Sequence, residues 1–207
     1  MIEILADAGL DVVHPFDAHA AAREPGLELL ADPERPLGYL IGNTRAFWPR
    51  FLAARRADPE LAASEHPIQH YVEVTLAKLA DAASARAWFP HRQYDGRYLP
   101  FQLLAEAAGL GVRSPTQLVI HHELGPWLGL RAVVTVAGEP VTRVLPAPAC
   151  RCELGCSAAF ARARDATGPE AWRAWLAVRD ACVVGRAHRY GDDQIAYHYT
   201  KDHAFLK

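Results

Sequence analysis

The residues of this chain able to do chemistry are a few arginines, four cysteines and two pairs of histidines. Arg131 stands alone in the apolar stretch HHELGPWLGLRAVVTV, residues 121–136. Arg179 sits among Trp172, Trp175, Leu176, Val178 and Cys182, and Arg189 follows it. A buried guanidinium requires an anionic partner. That partner is either internal (Asp180, Asp192 or Asp193) or a phosphate or carboxylate of a ligand, and the residues leave both open. Cys150, Cys152 and Cys156 lie within seven residues, and Cys182 joins them only if the chain folds back. Their spacing is short for a zinc knuckle and irregular for an iron–sulfur run, so they read as candidate metal ligands or as plain thiols. His66 and His70 are spaced for one helix face, which suits a metal pair or a solvated helix end. His121 and His122 are adjacent, so on a strand they face opposite sides and at most one addresses a given site.

The elements that must position these groups alternate irregularly. Residues 1–13 read as a short helix entering an extended segment, and HPFDAHAAAREPG as a loop. Leu37–Ile41 reads as a strand, followed by a turn at Gly42-Asn43 and a helix capped by Asn43 or Thr44. Pro49 predicts a kink in that helix or a start near it. Ser64–Ser84 is a helix with Pro67 in its first turn and a stripe of Ile68, Tyr71, Val72, Thr75, Leu76, Leu79 and Ala80. Residues 85–100 are extended and then loop; Tyr98–Ala108 is a helix stopped by Gly109 and Gly111. Residues 114–146 hold at least two strands, with a hairpin at Ala137-Gly138-Glu139-Pro140. After a cysteine loop, a helix runs from Glu170 to about Cys182, and a final helix or irregular arm from Asp192. Strands interleaved with helices but lacking a βαβ rhythm predict an α+β domain.

The totals agree with one domain spanning residues 1–207: the chain is 51% hydrophobic with a net charge of −2. A near-balanced charge gives no nucleic-acid surface, and no apolar run reaches the roughly 20 residues of a bilayer span. The start MIEILADAGLDVV is too short and acidic for a signal peptide, so a cytoplasmic protein is expected. Walker, Rossmann, nucleophile-elbow and HExxH patterns are absent.

Four collinear segments resemble one family. LLAEAAGLGVRSPTQLVIHHELGPWLGLRAVVTV (103–136) is similar to a block shared by the CblC cobalamin-processing family and the epoxyqueuosine reductases, and more distantly by the reductive dehalogenases. LGYLIGNTRAFWPRFLAA (37–54), AWFPHRQYDG (87–96) and VRDACVVGRAHRYGDDQIAYH (178–198) resemble further CblC segments in the same order. The resemblance implies a nitroreductase-like (modified flavin-reductase) α+β fold, a central antiparallel or mixed sheet flanked by helices. It implies binding of cobalamin with its base off the cobalt. The upper ligand is then removed by glutathione attack on alkyl groups or by flavin-driven reduction of the cyano form. Two arginines that hold glutathione in that family match Arg131 and Arg179, and a nearby tyrosine matches Tyr190. The corrinoid-binding set is expected among Asn43, Thr44, His91, Gln93, Gln117, His121, Gly125 and Trp127.

In this picture the Gly125-Pro126-Trp127 turn lets the backbone approach a flat ring, with Trp127 packing on that ring or filling core. Three departures stand out: His91 replaces an amide, Leu176 replaces a tryptophan, and the cysteine loop has no CblC counterpart. The partners implied are a small-molecule corrinoid and a reductase or cobalamin-dependent enzyme. The alternatives are a cobalamin-dependent reductase of another substrate, a non-enzymatic cobalamin carrier, and a flavin-only reductase.

Overall fold

The structure, a computed structural model, describes residues 2–80, 84–150 and 155–207. At its centre is a four-stranded sheet of β1 (Val12–Asp17), β2 (Leu37–Asn43), β8 (Gly129–Val136) and β3 (Arg86–Trp88), in the order β1-β2-β8-β3. Every pairing in it is antiparallel. Both faces are covered. Leu40 and Val133 point into a core with Phe16, Trp88 and Leu104; Ile41, Ala132 and Val134 point into another with Phe47, Phe51, Val72 and Leu76. Burial of both faces is why β8 reads as a near-continuous apolar run. The architecture is α+β, with a central antiparallel sheet flanked by helices.

The helices are α1 (Ile2–Asp7), α2 (Ala18–Ala21), α3 (Phe47–Ala57), α4 (Pro59–Ala63), α5 (Pro67–Ala80), α6 (Phe101–Ala107), α7 (Cys156–Asp165), α8 (Ala171–Asp180) and α9 (Asp192–Thr200). Pro67 opens α5, and Pro49 lies in the first turn of α3, where its missing N–H breaks no helical bond. Two short hairpins, β4 (Gln93–Tyr94) with β5 (Arg97–Tyr98) and β6 (Val112–Arg113) with β7 (Val119–Ile120), complete the chain.

Four expectations need correction. HPFD, read as loop, belongs to β1; Pro15 fits because β1 is an edge strand and one of its sides needs no ladder. The cap of α3 is Ala46 without a side-chain bond, while the Thr44 side chain is bonded to Asp11. No strand follows β8 among the described residues, so the hairpin at 137–140 does not form; residues 137–150 run as an irregular arm in which Leu145 N–H donates to Gly109 O. The cysteine loop opens directly into α7, whose apolar positions Cys156, Ala159 and Ala163 are too small to announce a helix face. The end of the helix expected to reach Ser84 lies partly outside the described residues.

Candidate functional site: a cationic double cavity

Arg131 owes its direction to a β-bulge. Ile41 pairs with Ala132 and Gly42 with Leu130, so Arg131 is the extra residue on β8. Strict alternation would place it on the face of Val133; a bulge re-aims a side chain. Its guanidinium lies instead over the Phe47 ring at 5.2 Å, on the α3 and α9 side. Arg131 Nε donates to Oδ1 of Asn43 at 2.6 Å, and Asn43, fully buried, turns its Nδ2 to Thr44 O at 2.7 Å. No carboxylate pairs with Arg131 among the described residues. Burial works against its cation, Tyr190 favours it, and the charge of Arg179 adds to the opposition.

Arg179, on α8, is buried, and its Nη2 donates to Pro126 O at 2.9 Å. It lies over the rings of Trp127 and Tyr190 at 5.4 and 5.8 Å. Of the aspartates offered as internal partners, Asp180 and Asp192 pair with Arg189 at 2.8 and 3.0 Å, and none forms an ion pair with Arg179 among the described residues. Tyr190 ties the two arginines to one scaffold. Its hydroxyl donates to Asn43 O at 3.3 Å and its ring meets Trp127 edge-on at 5.7 Å. Burial pushes the Tyr190 phenol up, against the pull of Arg179 and Arg131.

Each guanidinium lines its own cavity. One of about 200 Å³ holds Arg131 with His66, His91, Tyr197, His198 and Lys201. The other, of about 290 Å³, holds Arg179 with Gln102, Thr116, Trp175, His198 and Tyr199. His198 is common to both. Its pKa is held well below the usual imidazole value, by burial first and then by Arg131, Arg179 and Lys201. A neutral imidazole between three cations, with no carboxylate lining either cavity among the described residues, is an arrangement that takes anions.

Five of the expected site residues therefore converge: Arg131, Arg179, Tyr190, Asn43 and Trp127. His91 borders the Arg131 cavity, but its Nε2 is 2.7 Å from Glu73, which also binds Arg92 at two points. Gln93 is exposed in the β4–β5 hairpin. Gln117 is exposed at a turn with φ +65°, although its neighbours Thr116 and Leu118 line the Arg179 cavity. Thr44 and His121 border a separate cavity with Asp11 and His14. His121 is buried, and its Nδ1 accepts from Glu123 N and Leu124 N at 3.1 and 3.2 Å. Desolvation, reinforced by the charge of His122, lowers its pKa to about 4.

Gly125 departs from its expected role. A Cβ there would meet Val184 O at 2.0 Å, so the space beside it belongs to the chain itself rather than to a ring. The cysteines also resolve differently. Cys182 does fold back: it packs with Cys156, Cys150 and Ile120 in one apolar cluster. Cys152 lies outside the described residues, and among the described residues no group of three or more His, Cys, Asp or Glu is placed to hold a metal ion. His66 reaches the Arg131 cavity without His70. The sequence reading missed His198, Lys201 and Tyr199; the signal available was QIAYHYTK, residues 194–201, which carries two basic groups and no carboxylate.

A crystal structure of a B12-trafficking protein CblC from C. elegans, a homologue of human MMACHC, matches this chain with a TM-score of 0.63. The match covers 94% of this chain and 88% of that one, at 15% sequence identity. The fold is that of CblC. Its α+β architecture, a central antiparallel sheet flanked by helices, is the one expected from the sequence. No protein-family model and no curated protein matches the chain, so the CblC likeness rests on shape. No helix among the described residues is long and apolar enough to cross a membrane.

Proposed function

We propose that this protein binds cobalamin and processes or traffics it, removing the upper axial ligand after base-off binding. The observation that carries the reading is the pair of guanidiniums, half-buried Arg131 and buried Arg179, in a CblC fold with no carboxylate partner among the described residues. The chain bears the desolvation of two cations that it does not neutralise, and an anionic co-substrate supplies what is missing. The cavities, of 200 and 290 Å³, suit a small anionic thiol such as glutathione rather than a corrin, which needs the open surface beside them.

The chemistry is nucleophilic displacement. A thiolate attacks the alkyl carbon, the carbon–cobalt bond breaks, and its electron pair leaves on cobalt as cob(I)alamin; the products are a thioether and the reduced corrinoid. Arg131 and Arg179 hold the carboxylates of the thiol, and such orientation is worth several kcal/mol. Positive charge beside the sulfur also favours thiolate over thiol. Asn43 and Tyr190 position Arg131 rather than touch substrate.

The test is anaerobic incubation with methylcobalamin and glutathione. Glutathione-dependent appearance of cob(I)alamin is expected, slowed at least tenfold in Arg131→Ala and Arg179→Ala while corrinoid binding persists. Corrinoid binding without turnover in the wild type would make the protein a carrier. Equal loss of binding and turnover in the variants would remove the thiol from the two arginines.

A further inference from the structure

We propose that the cavity between the start of β1, the turn at 121–125 and the irregular arm binds a small zwitterion of the α-amino acid class. This site is separate from the two guanidinium cavities and does not depend on cobalamin. It encloses about 260 Å³, and its walls include Asp11, Thr44, His121, Glu123 and Arg143. That is below the roughly 300–1,000 Å³ of cavities for drug-sized ligands, so the occupant is small.

The feature that calls for a ligand is His121. It is only 8% exposed, follows β7 directly, and closes its turn by exchanging backbone bonds with Gly125. Its Nδ1 accepts from two backbone N–H groups, those of Glu123 and Leu124, so the ring proton sits on Nε2. That N–H is the one polar atom the ring has left for the cavity it lines, and it meets no acceptor among the described residues. A nearly buried donor without a partner is unfavourable, and an acceptor oxygen entering the cavity removes the deficit. The same tautomer leaves Nε2 no lone pair for a metal ion. His14 does not compete, because its Nε2 is 2.7 Å from Ala108 O.

The charges on the walls set the ligand class. Asp11 is held in place by Thr44, whose N–H and Oγ1–H donate to its two oxygens at 2.7 and 2.5 Å. Both oxygens keep capacity for a further donor. Glu123 adds a second carboxylate, and Arg143, from the arm, adds a guanidinium with no ion pair among the described residues. An anion alone meets two carboxylates; a cation alone leaves His121 Nε2–H and Arg143 unanswered. A zwitterion satisfies both, with its carboxylate toward His121 and Arg143 and its ammonium toward Asp11 and Glu123.

NMR of the full chain, ¹⁵N-labelled, reads the His121 Nε2–H directly while the common L-amino acids are titrated one at a time. A saturable shift of that resonance with at least one of them is expected. The N-acetyl derivative of the best binder, which lacks the ammonium, and its amide, which lacks the carboxylate, should each bind about tenfold more weakly, as one lost charge-assisted contact implies. Calorimetry on His121→Asn should show a similar loss; its Oδ1 still accepts from the turn while the Nε2–H is gone. Glu123→Gln and Arg143→Gln, both at exposed positions, should weaken binding several-fold without lowering the melting temperature, and they carry the test if His121→Asn does not fold. No shift with any amino acid overturns the proposal, as do derivatives that bind as well as the parent or variants with unchanged affinity. A shift of the same resonance with methylcobalamin and with no amino acid also overturns it, and returns His121 to the corrinoid-binding set.

Discussion

Gly125→Ala tests whether the turn beneath Arg179 is built for the chain or for a ligand. Gly125 has φ +58°, and a Cβ there would sit 2.0 Å from Val184 O and 2.7 Å from Val184 C, both backbone atoms. The opposite approach is as close: a Cβ on Gly185 would meet Leu124 C and O at 2.1 Å. Alanine in the left-handed region costs about 1 kcal/mol. Forcing a methyl group into packed backbone costs about 1–3 kcal/mol. The paired bonds between His121 and Gly125, 3.0 and 2.9 Å, are strained in the process, at about 1 kcal/mol for each bond lost. The expected destabilisation is therefore about 4 kcal/mol, a large share of the roughly 5–15 kcal/mol of a typical domain. Urea denaturation at 25 °C measures it. Because Pro126 O receives Arg179, the variant is also expected to weaken the glutathione binding proposed above. A Gly125→Ala protein within 1 kcal/mol of wild type would refute the backbone contact.

Asn43→Ala removes the acceptor of Arg131 Nε and one of the two donors to Thr44 O, which keeps the Phe47 N–H, and is expected to cost about 1–3 kcal/mol in the same assay. Asp180→Asn releases Arg189, not Arg179, so it should cost under about 1 kcal/mol and leave anion affinity unchanged; a loss of glutathione binding would show that Asp180 serves Arg179. His121 has a folded pKa of about 4, below the unfolded value of 6.5, so the unfolded chain binds more protons between them. Its contribution is complete above pH 6.5 and is lost as pH falls toward 4, on the order of 2–3 kcal/mol. A neutral ring with its proton on Nε2, seen by NMR at pH 6, is the accompanying signature; an imidazole titrating near 6.5 would contradict it.

Much of the frame was legible because it rests on local pattern. Pro67 opened a helix, residues 114–146 read as at least two strands and hold Val119–Ile120 and Gly129–Val136, and Gly109 ended a helix with φ +75°. Arg131 and Arg179 were conspicuous as lone charges in apolar runs. What the sequence could not reveal is long-range. The bulge that turns Arg131 across the sheet exists only in the register of β2 with β8. The engagement of Asp180 by Arg189 rather than Arg179 depends on how the 186–188 turn aims its neighbour. Gly125 carries the same residue type whether a ring or Val184 lies against it. His198 and Lys201 became site residues only once α9 docked beside β8, between the two arginines.

The central claim is base-off cobalamin binding, and the visible spectrum of methylcobalamin mixed with the purified protein in the absence of thiol tests it most directly. The expected result is a saturable change from red to yellow as the base leaves cobalt. A spectrum that stays red at excess protein, with no corrinoid retained after gel filtration, would contradict the account.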